Sequence, residues 1–151
     1  DSTQGWINTM DSTSNVRGNA FMVASVSGAC NTLTTCGNCK IATFTGPGTF
    51  CVSQVHPCAA NNVVSYMVVA GGGGSTTQAG GGGGAGAGGF REFKSPVTTY
   101  TASPLEGSTP ITVTATGFPI TVGAGGSAGS PGTNGVNSIF STITSAGGGL
   151  G

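Results

Sequence analysis

The chain is 151 residues long, enough for one domain or two small ones, and only 5% of it is charged, where globular proteins average roughly 25%. Four basic side chains balance four acidic ones, so the formal net charge is zero. So few cations cannot form a phosphate-neutralising patch or a polybasic anchor, which argues against nucleic acid and anionic lipid as partners. Membrane insertion is not expected. The longest apolar stretch, Val63 to Ala70, is broken by Ser65 and falls well short of the roughly 18 residues a span requires.

Residues 1–20 are largely polar and show no period, with Trp6 and Ile7 as their one adjacent apolar pair. They suggest a linker or docking segment. The start at Asp1 rather than Met suggests a processed or partial product.

Residues 21–70 are expected to form a small β domain. FMVASVS alternates in part and is β-branched. KIATFT and TFCVSQV flank Gly46-Pro47-Gly48, a turn in which proline pre-sets φ and glycine tolerates φ > 0, so the two segments are predicted to form a hairpin. VVSYMVVA is a nearly continuous β-branched run, predicted to be a strand buried on both faces.

Residues 71–151 hold 24 of the 30 glycines, and a domain boundary is expected near Ala70. Short β-type segments run repeatedly into small-residue tracts, and Ala-Gly-Gly recurs at Ala70, Ala79, Ala87, Ala124 and Ala146. The glycines come in runs, and the every-third spacing of collagen is read as absent. By composition such tracts suit flexible linkers. Ordering them costs about 1–2 kcal/mol of backbone entropy per residue, with no side chain to offset it. A packed array of polyglycine-II helices can meet that cost, because backbones lacking Cβ approach closely and pair their peptide groups. The expected fold is therefore an all-β N-terminal part followed by polyglycine-II helices and short strands, without substantial α-helix.

KIATFTGPGTFCVS, VVSYMVVAGGGG, GGGGAGAGGFRE, PITVGAGG and NSIFSTITSAGGG follow one another in that order. Together, from about Phe21 to the C-terminus, they resemble the glycine-rich domain of tail-fibre and other virion proteins of tailed bacteriophages. The glycine motifs are also similar to those of the receptor-binding adhesins of T-even-like phages. The resemblance implies a non-enzymatic, extracellular virion protein of a tail fibre or appendage, serving assembly and host adhesion. Implied partners are further copies of the chain (a homotrimer or another homo-oligomer), other virion proteins and a host-surface receptor. A bacterial surface filament subunit or adhesin is the alternative. An ice-binding protein is a third reading, suggested by Thr112, Thr114 and Thr116 and by Thr142 and Thr144.

Five cysteines, Cys30, Cys36, Cys39, Cys51 and Cys58, all fall before Ala70. C-x2-C at Cys36 and Cys39, with Cys51, His56 and Cys58 downstream, nominally suits zinc. Those ligands would have to leave the predicted hairpin, so no metal is assigned and disulfides are preferred. If Thr45 faces Thr49, Cys36 falls opposite Cys58, and that pair is the expected bridge. Gly84 to Gly89 fits G-x-G-x-x-G by chance in so glycine-rich a tract, and no cofactor is expected. His56 is the only histidine, and the acids Asp1, Asp11, Glu92 and Glu106 offer no catalytic pair. No catalytic residue is assigned. The candidates for receptor contact are Phe90, Arg91, Phe93, Lys94, Tyr100 and, more weakly, Phe118, because aromatics and arginine anchor small interfaces.

Overall fold

The computed structural model describes residues 22–77 and 82–151. The segment 1–20, including Trp6 and Ile7, lies outside the described residues. Strands β1 (Val23–Val26), β2 (Thr32–Cys36), β3 (Cys39–Thr43), β4 (Gly48–Gln54), β5 (Val63–Val64), β6 (Tyr66–Val69), β7 (Phe90–Phe93), β8 (Ile111–Thr112), β9 (Gly117–Thr121), β10 (Ser138–Phe140) and β11 (Ile143–Ser145) carry the fold. A single 3-10 turn at Ala59–Asn62 is the only helix among the described residues. Among the described residues, no helix is long and apolar enough to cross a membrane. The protein is all-β, as the sequence predicts.

Five strands form one sheet in the order β1-β4-β9-β10-β11, every pair antiparallel. Alternation along β4 turns Phe50 and Val52 inward and leaves Cys51 and Ser53 exposed. Val52, Ile111, Val113, Phe140 and Ile143 make the buried core. Phe140 is its hub. Phe50, Tyr66 and Phe118 stand near-perpendicular to its ring at centroid distances of 6.4, 6.0 and 6.2 Å, the arrangement the aromatic quadrupole favours.

Three sequence-based expectations are corrected. KIATFT and TFCVSQV are not hairpin partners: β3 pairs with β2, while β4 sits between β1 and β9. The longer apolar strand β4 buries its inner face in the main sheet, and β3 takes the nearer partner across a two-residue turn. VVSYMVVA is not one doubly buried strand. It bends at Ser65, whose hydroxyl accepts the Ser95 N–H (2.9 Å) and bonds Thr98 Oγ1 (2.6 Å), so β5 pairs with β8 and β6 with β7. Met67 and Val69 consequently lie 67% and 52% exposed. The boundary expected at Ala70 is crossed by the main sheet, because β4 from the first half pairs with β9 from the second.

The glycine tracts pack as a lattice. Five extended segments, 70–77, 82–89, 123–129, 132–137 and 146–151, bond laterally through their backbones. Segment 70–77 is central, and the other four form an arc around it. Ala70 and Gly73 donate to Gly89 and Gly86, and Gly71 and Gly74 donate to Val136 and Thr133. Gly71 and Gly74 accept from Gly148 and Gly151, while Gly72 and Ser75 accept from Gly126 and Gly129. Each neighbour is met at every third residue, the three-per-turn repeat of a polyproline-II-type helix. Segments 82–89 and 132–137 run antiparallel to the centre; 123–129 and 146–151 run parallel.

That geometry also corrects the reading that every-third spacing is absent. Gly123, Gly126, Gly129, Gly132 and Gly135 stand at strict three-residue intervals, where a Cβ would press on neighbouring backbone at each. The residues between them and just after Gly135, Ala124, Ser127, Ala128, Thr133, Asn134, Val136 and Asn137 among them, are exposed. Asn134 and Asn137, themselves three apart, accept the Leu150 and Gly147 N–H groups at 2.8 and 2.9 Å.

Candidate functional site

The predicted contact cluster lies on β7 and the long loop from Lys94 to Pro110 that joins it to β8. β7 pairs with β6 so that Phe93 faces Tyr66 and Arg91 faces Val68. Phe93 and Tyr66 stack, with ring centroids 6.0 Å apart. Arg91 is exposed, whereas Glu92, on the face it shares with Met67 opposite, is buried by the loop that bonds to it.

Glu92 organises the loop. Its Oε2 accepts the Ser103 N–H at 3.1 Å, and its backbone carbonyl accepts the Gly107 N–H at 2.8 Å. Bonding to the Ser103 hydroxyl, then to the Ser103 backbone and the Tyr100 hydroxyl, holds the Glu92 carboxyl below its ordinary pKa against the opposing effect of burial. Glu106 returns toward β7, its Oε1 accepting the Lys94 N–H at 2.9 Å. Burial, then the Glu92 charge, pushes the Tyr100 phenol up. Two of the chain's four acids thus fasten one loop.

Beside it lies a cleft of about 290 Å³, lined by Tyr66, Arg91, Glu92, Leu105 and Gly107 and by Thr142 and Thr144 at the β10–β11 hairpin. The Tyr66 hydroxyl donates to Thr109 O at 2.7 Å, joining two residues of the lining. Burial raises the Tyr66 pKa and the neighbouring Arg91 charge lowers it, the first effect prevailing. An exposed guanidinium, a tyrosine, a 71% exposed Leu105 and threonine hydroxyls can bind a ligand by hydrogen bonding and apolar contact.

The structure brings Arg91, Phe93, Lys94 and Tyr100 to this region. Phe93 is half-buried against Tyr66 and helps hold the strand pair together. Phe90, also half-buried, lies opposite Val69 at the entry from the glycine lattice. Phe118 lies elsewhere: it packs against Phe50 and Phe140 in the core, so its proposed contact role is corrected to a packing one. Sequence reasoning missed Tyr66, Glu92, Leu105 and Thr109. Glu92 carried a signal, as the only acid inside an otherwise apolar and basic strand.

The cysteines do not support the expected bridge. Cys36 lies opposite Cys39, while Cys58 precedes the 3-10 turn outside any strand, and all five are exposed free thiols. The register that paired Cys36 with Cys58 is therefore replaced. Among the described residues, no three of His, Cys, Asp and Glu come together to hold a metal. His56 Nδ1 accepts the Cys58 N–H at 2.9 Å within its own loop. The threonines of ITVTATG do not form a flat file: β8 ends at Thr112, and the Thr116 N–H bonds back to Thr114 O.

Comparison with known proteins gives one match. The chain belongs to the glycine-rich domain family, whose pattern covers residues 45–151. No curated protein and no solved structure matches it. The matched span begins in the loop before β4, so it takes in most of the core sheet as well as the lattice.

Proposed function

We propose that this glycine-rich domain is a non-enzymatic structural module of a bacteriophage tail fibre or appendage, extracellular on the virion, which assembles as a homo-oligomer and contributes to host-surface adhesion. The observation that carries the reading is the five-segment lattice. A backbone paired on several sides makes a stiff block from residues with almost no side chain, which suits a scaffold. It suits catalysis poorly, since catalysis needs titratable groups at defined distances. The motif order KIATFTGPGTFCVS to NSIFSTITSAGGG adds the fibre resemblance, and the Arg91 cleft with its loop supplies a surface for the receptor.

Immunogold labelling of gradient-purified particles with antibody to this chain tests the proposal. Gold on tail fibres or at tail tips is the expected result. Label on free filaments shed by bacterial cells would replace it with the surface-filament alternative. Purified phage without label would remove the virion assignment.

A further inference from the structure

The β2–β3 ribbon stands apart from the core. Its strands pair only with each other, and eight of their ten residues are exposed. Leu33 and Ala42, opposite one another, are the half-buried pair, while Ile41 is 55% exposed. A two-stranded ribbon with so little covered surface is marginal in water. At its tip, Cys36 and Cys39 oppose each other across the two-residue turn Gly37-Asn38, with Gly37 at φ 56° as such turns require. Directly opposed antiparallel positions have Cα atoms about 4.5–5.5 Å apart, within the span a disulfide bridges. Both thiols are exposed. The other cysteines have no such partner: Cys51 faces Ser25 and Gly117, and Cys30 and Cys58 lie in loops.

We infer that Cys36 and Cys39 are a covalent modification site, at which a low-molecular-weight disulfide of the glutathione class closes a bond across the ribbon tip. One protein thiolate attacks the oxidant's disulfide, forming a mixed disulfide and expelling one glutathione thiolate. The second protein thiolate attacks the protein-side sulfur of the mixed disulfide and expels the other. Two protein thiols are oxidised, one small disulfide is reduced, and the two protons end on the released thiols. The bond fastens the exposed ribbon at its free end, which the core cannot do. This site does not depend on the fibre reading; any oxidising extracellular setting supplies the chemistry.

The test treats the full chain with oxidised glutathione, alkylates remaining thiols without reduction, digests with trypsin and sequences the peptides by mass spectrometry. Cleavage after Arg17 and Lys40 leaves Cys30, Cys36 and Cys39 on one peptide, and Cys51 and Cys58 on the next. The expected peptide 18–40 is alkylated once, at Cys30, and is otherwise lighter by the two hydrogens lost. Alkylation of both Cys36 and Cys39, or a link from either to Cys30, Cys51 or Cys58, overturns the assignment. Amide exchange in β2 and β3 should slow roughly tenfold or more on oxidation, and not in a Cys36→Ser/Cys39→Ser double variant. A bond without that slowing overturns its role as a fastener.

Discussion

Glycines of the lattice play unequal parts. A Cβ at Gly74 would collide with the Ser127 carbonyl, and one at Gly82 with the Thr76 carbonyl, whereas at Gly84 it would meet nothing within 4 Å. The neighbours at Gly74 and Gly82 are backbone, fixed by the lattice, and cannot swing aside as a side chain could. Gly74→Ala or Gly82→Val should therefore lower unfolding stability by about 3 kcal/mol or more, by overpacking. Gly84→Ala should be neutral or stabilising by about 0.4–1 kcal/mol, because it restricts the unfolded chain alone. Urea denaturation of the variants decides the matter; equal effects at Gly74 and Gly84 would mean that the tracts are not packed as described. Phe140 offers a contrast in side-chain terms. Phe140→Ala empties the meeting point of three other rings and should cost about 3–5 kcal/mol.

At the scale of elements, the Lys94–Pro110 loop depends on carboxylates rather than on burial, and that makes it sensitive to acid. Glu92 has a folded-state pKa below its unfolded value, so its contribution is fully present above the unfolded pKa and is lost as pH falls through the folded one. Protease nicking of the loop should rise below about pH 4, where carboxylates protonate. Glu92→Gln should show that looseness already at neutral pH, with less change on acidification; an unchanged pH profile would show that Glu92 does not fasten the loop. The fold was legible in the sequence where elements are local. The β-branched segments become β1 and β4, and STITSA lies in the β10–β11 hairpin. Strand partners were not legible, because β4 chooses β9 across 62 intervening residues (Gly117 minus Gln54, less one) for reasons of core packing that neighbouring residues do not encode. The bend at Ser65 was hidden too, since its bonding partners lie 30 and 33 positions away. The lattice, by contrast, was foreshadowed in the glycines at 123, 126, 129, 132 and 135, a period obscured by the denser runs around them. Of the contact candidates, Arg91 lines the cleft, and its sequence neighbours Phe93 and Lys94 lie beside it on the same strand and loop. Phe118, apolar and on a strand, was drawn into the core.

The whole molecule leaves apolar surface that its own chain does not cover. Met67 and Val69 project from the outer face of β6, Val97 and Leu105 from the β7–β8 loop, and Val136 and Leu150 from the lattice, all 46% exposed or more. Single exposed apolar residues are ordinary, but Met67 and Val69 share one face of one strand. If copies associate through it, as the fibre proposal requires, each buried pair of such side chains contributes roughly 1.5–3 kcal/mol per side chain to the contact. Introducing charge there should dissociate the assembly and leave the fold intact, since both positions already face water in the isolated chain. Sedimentation velocity should find an oligomer for the parent chain, a trimer on the fibre reading, and a monomer for Met67→Lys/Val69→Lys. Circular dichroism and the urea midpoint at low protein concentration should match the parent. Arg91→Ala supplies the control at the other site: it should preserve the oligomer while weakening adsorption to host cells, because Arg91 borders the cleft and its side chain is exposed. A parent chain that sediments as a monomer at every concentration would remove the assembly role, and with it the reason for placing this face inside a fibre. An Arg91→Ala variant that adsorbs like the parent would leave a scaffold whose receptor is recognised by another part of the particle.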